Sequence, residues 1–395
     1  MTSDFCLRGR GSWIQVQKMH FTWRRFHRLS TAVRWAVLGT LLLLTIVPVR
    51  AAAVDWEVLT GLEHDLYPSV IVATANYDWN AQDEDDPTFK GDPWGQVGIS
   101  IKNPKANSTL VMEIESGTVI KPTKFRVKLE EAGETYAVFP PIKYDYATLL
   151  GVRQPFPEIV SIRLTLNGEE IGETDEKMTV RSINDCPFLI INNDDEYFSY
   201  GFMFSAYVNE NHPFIDKILR QAINTGETSS FAGYQGSEDD VLREMKAIWN
   251  ALKERGFRYS SITRASKTSE NVATQHVRLI GDSIKTSQAN CVDGSVLFAS
   301  IFLKLGLHPF LVTIPGHMFV GVFLDDKRES FVCLETTMLG EASFEDAIQA
   351  GDEAFEENRK ELTDEDSQSV DHEIIDVSEE REFGLLPLRE PGADR

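Results

Sequence analysis

Between Asp55 and Asp185 the apolar positions recur at every second residue in short runs, notably Gln96 to Lys102, Leu110 to Glu115, Lys124 to Leu129 and Val160 to Leu166. Asn103-Pro104, Ala132-Gly133 and Asn167-Gly168 punctuate them. Alternation broken by turn formers predicts antiparallel strands with one face buried. Asn167-Gly168 predicts a two-residue hairpin, because both positions tolerate positive φ. The strand spacing predicts an immunoglobulin-like β-sandwich over residues 54–190. Past Asp185 the period turns helical. His212 to Thr225 puts Phe214, Ile215, Ile218, Leu219, Ala222 and Ile223 on one face, with Pro213 in the first turn and Gly226 as the stop. Ser237 to Arg255 has Ser237 as N-cap, Asp240 at the capping-box position and Gly256 at its end. Val241, Leu242, Met245, Ile248, Trp249 and Leu252 face inward, which makes Trp249 a core residue. The fold class is therefore α+β, with a second domain over 191–345. From 346 to 395 the chain reads as an acidic helix, Ser343 to Glu361, running into a mobile acidic tail.

Residues 1–53 follow a different grammar. Arg24, Arg25, Arg28 and Arg34 precede an uncharged run from Trp35 to Val49, and Ala51-Ala52-Ala53 follows. Basic, apolar, then small is the order of a secretory signal. The apolar run is shorter than a membrane-spanning helix requires. Cleavage after Ala53 is expected, placing the protein in the periplasm or outside the cell. The alternative is an uncleaved membrane anchor through residues 35–49.

The chain has 395 residues and a formal charge of −22. The leader contributes +7, so the exported part stands at −29. So negative a surface repels phosphate backbones, and no basic stripe with interleaved aromatics appears, which excludes nucleic acid as a partner. Asp83-Glu84-Asp85-Asp86, with Asp92 beyond, offers oxygen ligands, but the spacing fits no EF-hand loop. A solvated acidic turn is the preferred reading, and no metal or cofactor is assigned. Beyond Cys6 in the leader the cysteines are Cys186, Cys291 and Cys333. An odd number leaves at least one thiol unpaired, with a Cys186–Cys333 bridge left open.

Gln288-Ala289-Asn290 is a polar loop that delivers Cys291 to the start of an apolar segment closed by Gly306. Unpaired N–H groups and the positive dipole end at a helix start favour thiolate over thiol. Pro309 to Ile314 and Met318 to Leu324 read as strands, so His317 opens the second one just after the Pro315-Gly316 turn. A third strand-like run, Phe331 to Thr337, carries Glu335. Neighbouring antiparallel strands set His317 against Glu335, and the helix start brings Cys291 to the other ring nitrogen. Nucleophile, base and orienter then lie in a line.

These segments resemble the transglutaminase-like superfamily, of the bacterial exported type. ANCVDGSVLFASIFLKLGL resembles its cysteine helix, PGHMFVGV its histidine strand and CLETT its acid-Thr segment. The similarity is specific from Gln275 to Leu339 and weaker over Ser237 to Tyr259; it does not extend to the β-domain. The resemblance implies a papain-like core with Cys291, His317 and Glu335 as a catalytic triad, Glu335 standing where the family usually has Asp. It also implies cysteine-dependent acyl transfer on protein or peptide amides. Hydrolysis is favoured over amine crosslinking, because no calcium site of the crosslinking type is readable. The backbone N–H of Cys291 is the first oxyanion donor, with Gln288 and Tyr259 as candidates for the second. Asp293 is read as support in the first helical turn. Cys333, two residues before Glu335, either approaches the site or is a buried core thiol. Two rival functions remain open: an inactive transglutaminase-like module that binds a cell-surface partner, and a zinc site of Cys291, His317 and Cys333. The β-domain is expected to position a substrate or bind an envelope partner, and a membrane is a partner only if the leader is retained.

Overall fold

The computed structural model describes residues 54–77, 87–191, 197–260, 265–267, 271–364 and 369–390. The leader and the acidic turn Asp83 to Asp86 lie outside the described residues.

The N-terminal half is built from β1 (Asp55–Leu66), α1 (Pro68–Ala73), β2 (Phe89–Gly91), β3 (Val97–Lys102), β4 (Ser108–Ser116), β5 (Thr123–Leu129), β6 (Thr135–Phe139), α2 (Tyr146–Gly151), β7 (Phe156–Leu166) and β8 (Glu169–Val180). The eight strands form one array in the order β2-β6-β3-β1-β8-β7-β4-β5. Its two arms share β1. Residues Asp55 to Thr60 pair antiparallel with β3, whereas Asp65 and Leu66 pair parallel with β8. Glu63, with φ of 55°, lies between the two registers in the left-handed region that lets the strand change direction. Inward residues of both arms, including Ile99 and Ile101 of β3, Leu110 and Met112 of β4, and Ile162 and Leu164 of β7, share one core. Each such side chain contributes about 1.5–3 kcal/mol on burial. Asn167 and Gly168 both have positive φ in the β7–β8 hairpin, as their types predict.

The chain continues through β9 (Asp185–Ile191), β10 (Tyr197–Ser199), α3 (Ile215–Asn224), α4 (Glu238–Glu254), β11 (Arg258–Tyr259), β12 (Ala265–Lys267), β13 (Val272–His276), α5 (Ile280–Thr286), β14 (Gln288–Ala289) and α6 (Cys291–Lys304). Both capping-box bonds of Ser237 and Asp240 form at α4, and Trp249 is fully buried. Helix α3 starts later than the apolar pattern predicts. His212 to Phe214 make a turn instead, in which the Phe214 N–H donates to His212 Nδ1 at 3.2 Å.

Next come β15 (Pro309–Ile314), β16 (His317–Phe323), β17 (Phe331–Leu334), α7 (Phe344–Glu357), α8 (Arg359–Thr363), β18 (Glu373–Asp376) and α9 (Val377–Glu382). Their sheet runs β17-β16-β15-β18. Helix α6, apolar on nearly all sides and buried from Val292 to Phe302, belongs to the main core. A second cluster gathers Phe310, Val312, Phe319, Phe323, Phe331, Cys333, Phe355 and Leu362. The molecule is an α+β protein.

Residues 369–390 depart from the expected mobile tail. Strand β18 joins β15 as the sheet's edge, the Leu386 N–H donates to the Ala73 carbonyl at 2.8 Å, and the Leu388 N–H donates to the Ala206 carbonyl at 2.7 Å. Acidic composition suggested disorder, but Ile375, Val377, Leu385 and Leu388 supply the buried contacts that order it. Among the described residues no helix is long and apolar enough to cross a membrane.

Candidate active site

Cys291 is the first residue of α6, and its position is fixed by the cap before it. Asn290 accepts the Asp293 N–H at 2.8 Å, and the Asp293 carboxylate accepts the Asn290 N–H at 3.2 Å. This reciprocal pair closes the helix start. Asp293 is 1% exposed and needs a counter-charge, which Arg278 provides through its guanidinium at 2.7 Å and its backbone N–H at 2.8 Å. Burial pushes the Asp293 carboxyl up, against the opposing hydrogen bonds from Arg278 and Asn290. Asp293 thus braces the first turn of α6. Arg278 and Asn290 are partners that sequence reasoning missed. The Asn-x-x-Asp spacing at a helix start could have revealed the second.

Two further contacts seat the helix. The Ser295 hydroxyl donates to the Cys291 carbonyl at 2.7 Å and lies 3.4 Å from the Met318 carbonyl of β16. Gly294 faces Thr336 so closely that a Cβ there would stand 2.7 Å from Thr336 Oγ1. Glycine is thus required for α6 to approach the segment after Glu335.

His317 opens β16, paired with Ile314 across the turn at Gly316, whose φ is 74°. Glu335 differs from the expected strand position. Strand β17 stops at Leu334, and Glu335 caps the short 3-10 turn Thr336–Met338. The acceptor role of its carboxylate for the Thr337 N–H, at 2.9 Å, competes with strand continuation. The Thr337 hydroxyl bonds the same oxygen, Oε1. Oε2 lies 2.6 Å from His317 Nε2.

With Nε2 committed to Glu335, Nδ1 is left for the Cys291 sulfur. The His317 pKa is raised to about 10, first by its hydrogen bond with Cys291 and then by Glu335, with burial opposing. Burial pushes Glu335 up, but the bonds from His317 and Thr337 outweigh it and hold the carboxyl below its ordinary value. The raised His317 pKa favours a protonated ring beside the Glu335 carboxylate.

Tyr259 is 45% exposed, and its phenol is raised by burial and then by the charges of Cys291 and Glu335, which puts it within electrostatic reach of both. Gln288 sits on β14, paired with Arg258, and among the described residues its side chain makes no hydrogen bond to Cys291, His317 or Glu335. Cys333 does not approach the site. It is fully buried in the second aromatic cluster, where burial raises its thiol well above the ordinary range. Cys186 is also buried, and all three cysteines of the described residues are free, so the Cys186–Cys333 bridge does not form. The zinc reading loses Cys333 in the same way.

No family model matches the chain, and no curated protein is similar to it at a significant level. Among solved structures it is similar to a protein of Cytophaga hutchinsonii provisionally assigned as a cysteine protease, with 12% identity, 61% of this chain and 75% of the other covered, and a TM-score of 0.21. At that score the likeness carries no argument about the site.

Proposed function

We propose that the protein is a transglutaminase-like cysteine enzyme that transfers acyl groups from protein or peptide amides, with water as the favoured acceptor. One observation carries this reading. His317 Nε2 lies 2.6 Å from Glu335 Oε2, and Cys291 interacts with the same imidazole. The Cys291 sulfur attacks the amide carbonyl carbon while the thiol proton resides on His317. The tetrahedral oxyanion takes the Cys291 backbone N–H, with the Tyr259 phenol as second donor. Collapse breaks the C–N bond, the leaving amine takes the proton from His317, and a thioester remains. Water, deprotonated by His317, then attacks the thioester, releasing the carboxylic acid and restoring the thiol. Glu335 holds the ring and balances its charge throughout.

The papain-like assignment is supported by a cysteine at a helix start followed by histidine at a strand start and an acid just beyond the next strand. The two-armed array with its shared first strand supports an immunoglobulin-like sandwich over 54–190 that presents substrate or an envelope partner. The order of basic, apolar and small residues in 1–53 supports export.

Trapping tests the reading. Incubation with peptide amides is expected to leave a thioester on Cys291, detected by mass spectrometry of the quenched protein. Cys291→Ala is expected to abolish transfer with little change in thermal midpoint, since the side chain contributes little packing. A Cys291 that reacts with iodoacetamide at about pH 6 no faster than an ordinary cysteine would leave the inactive binding module as the better reading.

A further inference from the structure

The N-terminal half holds a cleft that acyl transfer does not use. Its volume is about 390 Å³, and Trp94, Phe125, Tyr144 and Tyr146 line it together with Asp92. That volume suits a small ligand. Asp92 is set rigidly. Its N–H donates to the Phe139 carbonyl at 2.7 Å, and its Oδ1 accepts the Trp94 N–H at 2.9 Å. Gly91, with φ of 103°, permits this approach, since a Cβ there would stand 1.9 Å from the Phe139 oxygen.

Among the described residues no cation faces the Asp92 carboxylate; it is raised by burial, with only the Trp94 N–H opposing. Burial also raises Tyr144 and Tyr146, and the Asp92 charge adds to both, so the carboxylate and the two phenols share the cleft. Tyr146 is 42% exposed, which leaves one wall open to solvent.

An uncompensated carboxylate among aromatic faces selects its ligand by charge and shape. Anions are repelled. Calcium takes about 6–8 oxygen ligands, whereas the described residues contain no group of three His, Cys, Asp or Glu able to hold a metal. An organic cation satisfies both features, because its charge meets the carboxylate while its alkyl groups lie on the ring faces. We propose that this cleft binds an alkylammonium group, carried by a peptide lysine or by a free small amine, with its charge on Asp92 and its carbons against Trp94, Tyr144 and Tyr146. The chain's charge of −22 concentrates such cations near it. This site does not depend on the acyl-transfer reading.

Calorimetric titration of the full chain with choline, Nα-acetyl-lysine methylamide and 3,3-dimethylbutanol, the uncharged isostere of choline, tests the proposal. At least one amine is expected to bind about tenfold or more tightly than the alcohol, the factor that one cation–aromatic contact supplies. Tighter lysine binding assigns a peptide ligand, and tighter choline binding assigns a free amine. Asp92→Asn keeps the Oδ1 acceptor for Trp94 and is expected to weaken binding about tenfold. Tyr146→Ala, at an exposed position, is expected to weaken it as well. Both variants should alkylate at Cys291 at the native rate, which separates this site from the reacting cysteine. Equal binding of the alcohol, unchanged affinity in Asp92→Asn, or no saturable binding by either amine overturns the proposal.

Discussion

Replacing Glu335 by Gln exchanges one carboxylate oxygen for an NH2 group and leaves the shape of the site nearly unchanged, so it probes charge and proton position alone. Oε1 of Glu335 accepts the Thr337 backbone N–H at 2.9 Å as well as the Thr337 hydroxyl. The hydroxyl can rotate; the backbone donor cannot. A glutamine must therefore keep its carbonyl oxygen on Thr337 and turn its NH2 towards His317 Nε2, where the carboxylate stood at 2.6 Å. Two N–H groups cannot face each other, so the neutral ring is driven to carry its proton on Nδ1, opposite Cys291. That tautomer cannot accept the thiol proton. The charge-assisted hydrogen bond that disappears is worth about 1.5–3 kcal/mol. Loss of the orienting carboxylate is expected to cut turnover by roughly two to four orders of magnitude, which is about 3–5.5 kcal/mol in the barrier. Single-turnover acylation of a peptide amide reads the rate, equilibrium binding reads the expected unchanged affinity, and 15N NMR of the imidazole reads the tautomer. Glu335→Asp is expected to retain part of the activity.

The same variant changes the pH dependence of stability. The folded His317 pKa stands at about 10 against an ordinary 6.5, so its contribution is fully present below about 6.5 and is lost as pH rises through about 10. Without the Glu335 charge the contribution is expected to be smaller and its loss complete at lower pH, visible in thermal midpoints across the alkaline range. Near-native rates for both Gln and Asp, with Cys291 still required, would remove Glu335 from the site and leave a Cys–His pair.

Arg278→Ala strands the Asp293 carboxylate, 1% exposed, without its counter-charge; a loss of about 3–5 kcal/mol in denaturant titration is expected, and a loss under about 1 kcal/mol would make the ion pair incidental. Cys333→Ala removes the sulfur from the second aromatic cluster and is expected to lower stability by about 1–2 kcal/mol with acyl transfer intact; lost transfer at unchanged stability would return Cys333 to the site. If the leader is cleaved, mass spectrometry of the mature protein is expected to find a terminus near Val54 without Cys6, and a terminus at Met1 would argue for a retained anchor.

Short-range signals carried far in this sequence. Period-two runs and the Asn167-Gly168 turn located strands β3, β4, β5 and β7, because each depends on side chains within a few positions of one another. Ser237 and Asp240 announced α4 for the same reason. The order Cys291, His317, Glu335 was legible in the sequence, whereas the 2.6 Å approach of His317 to Glu335 belongs to the fold. What escaped depends on distant groups. Arg278 is tied to Asp293 only by the folded chain, and nothing near it in sequence marks it as a buried cation. Composition misled at the C-terminus, where a few apolar residues among many carboxylates decide the structure. The exchange of partners along β1 was equally hidden, since alternation gives the faces of a strand but not its neighbours.

The placement of β18 sets a timetable for the molecule. Translation delivers β15 and β16, with His317, well before Glu373–Asp376, the strand that completes their sheet. Only then do Leu386 and Leu388 reach Ala73 and Ala206, made much earlier. A nascent chain thus lacks this fastening until residues beyond Glu373 have left the ribosome. A chain truncated before Glu373 therefore forfeits this fastening along with the sheet edge.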